Sequence, residues 1–204
     1  MQSLTTLFGR RLRTSTLALC LSFSSLAFIS GCETIAIATV AIATVDIIHD
    51  RRTVGEYIDD SAIEVQFQTH MKSTKRLRSE AHINGISWNG ILLLTGEVHT
   101  EEMKQEVVAF ANSIKPVRQV VDETHISGKT GFLARTSDSW LTTKVKTKLT
   151  AKMGADANRV KVVSERGNVY LMGIVTEDEA FRATEAARSV RGVARVIKVF
   201  EYKT

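Results

Sequence analysis

Two hydrophobic rhythms run along the chain and then run again. After Asp60-Ser61, apolar Ile63, Phe67 and Met71 recur every four residues, the spacing of one helix face. The Asp-Ser pair predicts the N-cap of that helix. Two strand-like apolar runs follow on either side of Asn89-Gly90, a pair that tolerates positive φ and so predicts a hairpin. Thr100-Glu101-Glu102 opens a second helix running to about Ile114, its acids suited to the positive end of the helix dipole. A last strand is expected over Val117 to Ile126.

The same phrases return. Asn89 to Val98 recurs as Arg166 to Val175, displaced by 77 positions, with Arg166-Gly167-Asn168 at the turn. Upstream, Asp138-Ser139 again precedes a helical trio, Leu141, Val145 and Leu149; downstream, Thr176-Glu177-Asp178 opens a helix to Val190, and Val193 to Tyr202 forms the last strand. A period this long is a small domain copied once, not a solenoid unit. Each copy reads αββαβ, and its β–α–β part makes a parallel pair. The fold class expected is α+β: two tandem αββαβ domains, each a three-stranded mixed sheet with two helices on one face. The domains are expected over residues 59–128 and 129–204.

Ahead of them the chain has another character. Arg10, Arg11 and Arg13 stand without a single acid, and a short apolar, serine-dotted stretch leads to Ile29-Ser30-Gly31-Cys32. This is the order of a secretory signal, too short for a membrane span. Its end resembles a bacterial lipobox, which implies cleavage after residue 31 and acyl chains, palmitate among them, on Cys32. Several chains give lasting attachment where one gives only marginal binding. Enteric lipoproteins kept at the inner membrane resemble one another in having Asp after the cysteine, so by that resemblance the glutamate at position 33 implies the outer membrane. Residues 32–58 are expected to be a lipidated tether. The Ile/Ala/Thr/Val run over 35–45 either lies along the headgroups or is a plain spacer; eleven residues cannot cross a bilayer.

The order αββαβ, taken twice, with a Leu-x-Leu-x-Gly-x-Val strand before a Thr/Glu helix start, resembles the BON domain (bacterial OsmY and nodulation). Behind a lipobox and the Arg52-Thr53-Val54-Gly55 segment, the arrangement is similar to outer-membrane lipoproteins that carry two such domains. The resemblance covers about residues 50–204. It implies a lipid-anchored protein facing the periplasm, non-enzymatic, that binds phospholipid and supports envelope integrity. Gly96 and Gly173 match the family glycine and are expected to be structural, letting helix and strand backbones approach closely.

Composition changes the picture once it is divided. The chain has 204 residues, 27 basic and 22 acidic, two cysteines and one proline. The cysteine count excludes a disulfide scaffold, and the balance of charge and apolar content excludes disorder. The net +5 is misleading: three arginines belong to the signal, residues 59–128 carry −3, and residues 129–204 carry +7. The difference is sharpest in the first helices. Where the first copy has Ala62, Gln66, Gln68, His70 and Thr74, the second has Trp140, Lys144, Lys146, Lys148 and Lys152. On a helical wheel Trp140 lies away from the Leu141/Val145/Leu149 face, near Lys144 and Thr147. An off-core tryptophan beside lysines is what an interfacial helix presents to anionic headgroups. The lipid-binding set is therefore Trp140, Thr143, Lys144, Thr147, Lys148 and Lys152. The other reading has Trp140 filling the contact between the two domains, with the lysines a solvated face.

No residue set points to catalysis or to a metal. The five histidines have no ligand-like spacing, and no nucleophile elbow, phosphate loop or metalloprotease motif occurs. The expectation is a protein with no cofactor beyond its acyl chains, no small-molecule substrate and no nucleic-acid partner. Its partner is an anionic phospholipid membrane. The alternative is an interaction scaffold for an envelope or outer-membrane assembly protein.

Overall fold

The structure, a computed structural model, describes residues 50–127 and 132–203, with side chains of the third long helix described from Asp138 onward. The signal, Cys32 and the Ile/Ala/Thr/Val run lie outside the described residues. From His49 onward the chain forms one compact unit.

The first domain contains α1 (Val54–Ser73), α2 (Lys75–Glu80), β1 (His82–Trp88), β2 (Ile91–Val98), α3 (Glu101–Ser113) and β3 (Gln119–Ile126). The second contains α4 (Phe132–Met153), a 3₁₀ turn (Gly154–Arg159), β4 (Lys161–Glu165), β5 (Asn168–Val175), α5 (Glu177–Arg188) and β6 (Arg195–Tyr202). In each sheet the second strand is central. It pairs antiparallel with its hairpin partner and parallel with the last strand. The expected α+β fold with mixed three-stranded sheets is what forms.

The first helices do not begin at the Asp-Ser pairs. α1 starts six residues before Asp60, capped by Thr53, whose hydroxyl accepts from Glu56 N at 3.2 Å while the Glu56 carboxylate accepts from Thr53 N. Residues 50–58, expected to be tether, thus belong to the folded unit. Asp60 lies inside the helix, 3% exposed. Its carboxylate accepts from Asn89 N at 2.7 Å, Gly90 N at 2.9 Å and the Ser87 hydroxyl at 2.6 Å. Asp138 does the same inside α4, accepting from Arg166 N at 2.7 Å and Gly167 N at 3.0 Å. The reason is the turn: Asn89, Gly90, Arg166 and Gly167 all have positive φ. The turn N–H groups then have no strand partner and need a buried acceptor. Both aspartates pin a hairpin to a helix instead of capping one.

Each sheet is covered on both faces. On the helix side, Ile63, Phe67 and Met71 pack on Leu92, Leu94 and Val98; Leu141, Val145 and Leu149 pack on Val169, Leu171 and Val175. On the other side, Trp88, Ile91 and Leu93 meet Tyr170, Met172 and Val199 of the second sheet. The result is a helix–sheet–sheet–helix stack. Double coverage explains why β2 is buried at all eight positions and does not alternate. It also decides the domain contact, which is sheet on sheet, with Trp140 outside it.

At both family glycines the backbone of another segment comes close: strand β1 at Gly96, and the last residue of the 3₁₀ turn at Gly173. A Cβ on Gly96 would stand 2.0 Å from the carbonyl oxygen of His82 at the start of β1, and one on Gly173 would stand 2.2 Å from that of Arg159. Gly96 also has φ +116°, a region that L side chains avoid.

Candidate functional site

α4 lays Leu141, Val145 and Leu149 into the core at its four-residue spacing, so the residues between them are turned outward. Trp140 is 64% exposed, a large indole with no packing partner in the domain contact. It joins Thr143, Lys144, Thr147, Lys148 and Ala151 in one groove of about 340 Å³, closed on its far side by Ser189 and Val190 at the end of α5. Five of the six residues expected to contact lipid thus come together. Lys152 does not line the groove. Each four-residue step advances about 40° around the helix, so by Lys152 the row has rotated out and Ala151 takes its place.

The groove combines apolar Trp140, Ala151 and Val190 with hydroxyl side chains and two lysines, Lys144 and Lys148. The hydroxyls of Thr143 and Thr147 donate to the carbonyls of Ser139 at 3.2 Å and Thr143 at 3.0 Å. Lys144 Nζ donates to the carbonyl of Arg191 at 3.0 Å, which ties α4 to the loop after α5 and holds that ammonium at the groove edge. Among the described residues none of Lys144, Lys146, Lys148 and Lys152 forms an ion pair. Their charge is therefore available to an external anion.

The first domain lacks this site. Opposite Lys148 in the repeat stands His70, whose ring stacks on Phe110 at 3.6 Å, covering the equivalent position. The first helix instead presents Val54, Ile58 and Val65 to solvent, without lysines among them.

A second feature escaped sequence reading. Asp50, Arg51 and Arg52 form a strap across both domains. Arg51 donates to Ile174 O at 3.0 Å and to Glu179 at 2.7 and 2.9 Å in the second domain, while Arg52 bonds Asp50 and Asp60 in the first. Glu179 also receives Arg159 and the Thr176 N–H, a capping-box contact. Burial alone would raise the Glu179 pKa, but the Thr176, Arg51 and Arg159 hydrogen bonds outweigh it and hold it at about 2. Glu179 stands where the first copy has Met103, a polar residue at a core position, and that mismatch was the available signal.

Among the described residues no group of three or more His, Cys, Asp and Glu side chains could hold a metal ion. No described helix is long and apolar enough to cross a membrane.

The BON domain family matches the chain at residues 59–128 and again at 137–204. Three curated relatives are similar over most of their length. The Outer membrane lipoprotein DolP of Haemophilus influenzae is 37% identical over 175 residues, 86% of this chain and 90% of the relative. The 21 kDa hemolysin of Actinobacillus pleuropneumoniae is 35% identical over 75% of this chain and 79% of its own. The Osmotically-inducible protein Y of Escherichia coli is 29% identical over 70% and 72%.

Proposed function

The chain belongs to the BON-domain family, with two copies in tandem, and on that premise we propose that it is an outer-membrane lipoprotein facing the periplasm, anchored by acyl chains on Cys32, whose second domain binds anionic phospholipid. The relative named as an outer membrane lipoprotein and the lipobox at Cys32 support the anchor. The α4 groove carries the lipid reading: an exposed indole, apolar Ala151 and Val190 beside it, and lysines without an ion pair among the described residues, on a domain of net +7. Tryptophan settles at headgroup depth, and each well-placed lysine adds about 1 kcal/mol near an anionic leaflet, falling with salt. The first domain, with its −3 charge and no lysine-rimmed groove, serves as packing partner. The role that follows is support of envelope integrity at the membrane surface; no reaction is assigned.

The experiment is flotation of residues 49–204 with vesicles of phosphatidylcholine containing increasing phosphatidylglycerol. Binding should rise with the anionic fraction, weaken at high salt, and vanish when Lys144→Glu and Lys148→Glu are combined with Trp140→Ala. Absence of binding at low salt, or binding by the triple variant, overturns the lipid reading. The anchor is tested separately, by labelling cells with an alkyne fatty acid: the full chain should take label and Cys32→Ala should not.

A further inference from the structure

The edge of the second sheet carries a groove that the first domain has closed. It lies between α5 and β6, about 300 Å³, lined by Ala180, Phe181 and Thr184 on the helix and by Lys198 and Tyr202 on the strand. Phe181 is 66% exposed and Tyr202 52%, two aromatic side chains on one face. At the same place in the first domain, Lys104 reaches from α3 to the last strand, bonding Asp122 at 3.2 Å and Thr124 O at 3.1 Å. The repeat puts Ala180 where Lys104 stands and Lys198 where Asp122 stands. The bridge is lost twice over: the helix side is truncated to a methyl, and the strand side changes sign. Among the described residues Lys198 has no ion-pair partner, and β6 pairs with β5 alone, leaving its other edge open.

We infer that this groove and strand edge receive an extended, acidic segment of a partner polypeptide, added beside β6 with alternate side chains seated against α5. A free strand edge supplies main-chain hydrogen bonds, and a groove beside it selects alternate side chains. Phe181, Tyr202 and Ala180 offer the apolar seat. The charge picks the sign of the partner. Lys198 is exposed at the groove without an ion pair among the described residues, while Arg195 lies on the opposite face of the strand and Arg188 is paired with Glu185. Of the two acids on the helix side, Glu185 pairs with Arg188 and Glu177 stands in the first turn of α5, at the positive end of its dipole; Glu201 of the strand is held by Asn89 and Arg118. Two such edges would bring like charges together, so a second copy of this chain is disfavoured. A carboxylate on the incoming strand restores on Lys198 the contact that Asp122 gives Lys104. The inference is independent of lipid binding, which uses α4.

The test uses isotope-labelled 49–204 and the synthetic peptide acetyl-Val-Thr-Glu-Thr-Val-Thr-amide, whose alternate residues are Val, Glu and Val. Amide shifts should concentrate in β6 and α5, and a peptide with Lys in place of Glu should bind roughly tenfold more weakly. The variant Ala180→Lys with Lys198→Asp copies the bridge of the first domain and should abolish the shifts. Lys198→Glu, an exposed single change, should do so if the double variant does not fold. No shifts at millimolar peptide, shifts centred elsewhere, or equal binding by the closed variant or by Lys198→Glu overturns the inference.

Discussion

The guanidinium of Arg52 lies 3.5 Å from the centre of the Trp88 ring and donates to Asp60 at 2.8 Å. One side chain from the segment before α1 thus closes the end of the first hairpin. It lies on the tryptophan that enters the domain contact and neutralises the carboxylate that holds the turn.

Removing it should be costly. Arg52→Ala leaves Asp60 buried without its cation and bares the Trp88 face, a loss of about 3 kcal/mol in urea unfolding. Arg52→Lys should recover only part, because an ammonium cannot bond Asp50 and Asp60 while lying flat on the ring.

Glu179 should make the strap acid-sensitive. Its pKa falls from 4.5 to about 2 on folding, so its stabilisation is complete above about pH 4.5 and is lost as pH falls toward 2. Thermal unfolding between pH 5 and pH 2 should show Glu179→Gln less stable than the parent at the upper end and converging with it at the lower, with Arg51→Ala reducing the same slope.

Glu165 should act in the opposite sense. It is 8% exposed, and burial, then the charges of Asp138 and Glu97, push it up to about 7; Arg166 and a hydrogen bond with Asn84 only partly offset this. Because its folded pKa lies above the unfolded 4.5, the protonated form favours folding, and that contribution is lost as pH rises through 7. The unfolding midpoint should drop between about pH 4.5 and pH 7, and Glu165→Gln should flatten that drop. Differential scanning calorimetry across this range decides it.

Gly96→Ala should be more damaging than an ordinary strand substitution. The new methyl meets the His82 carbonyl at a distance no Cβ tolerates, and φ +116° adds strain. A loss of about 2–3 kcal/mol is expected in urea unfolding.

The chain's two tryptophans should report separately. Trp88 is buried and Trp140 exposed, so acrylamide should quench mainly Trp140, and phosphatidylglycerol vesicles should shift its emission to the blue and protect it. In Trp140→Phe the emission should be insensitive to vesicles; a vesicle-induced shift in that variant would place the contact elsewhere.

Much of this protein was written in local order. The helical trios, the hairpin turns and the Thr-Glu helix starts depend on neighbours within a few positions, so periodicity and turn chemistry reveal them. The α4 site was also legible, because a wheel places Trp140, Lys144 and Lys148 off the core whatever the rest does. Lys152 was the exception, since a row of four-residue steps drifts around a 3.6-residue helix.

The roles of Asp60 and Asp138 were not legible. An Asp-Ser pair before an apolar trio reads as a cap, and only the turn N–H groups, roughly 30 residues away, show what each carboxylate serves. The sheet-on-sheet contact, the strap to Glu179 and the open edge of β6 are likewise products of distance along the chain. Sequence alone determined the duplication, the elements and the charge asymmetry between copies, since these are properties of residue order. Tertiary structure decided which faces are covered and which charges are paired, because burial and ion pairing depend on segments that folding brings together.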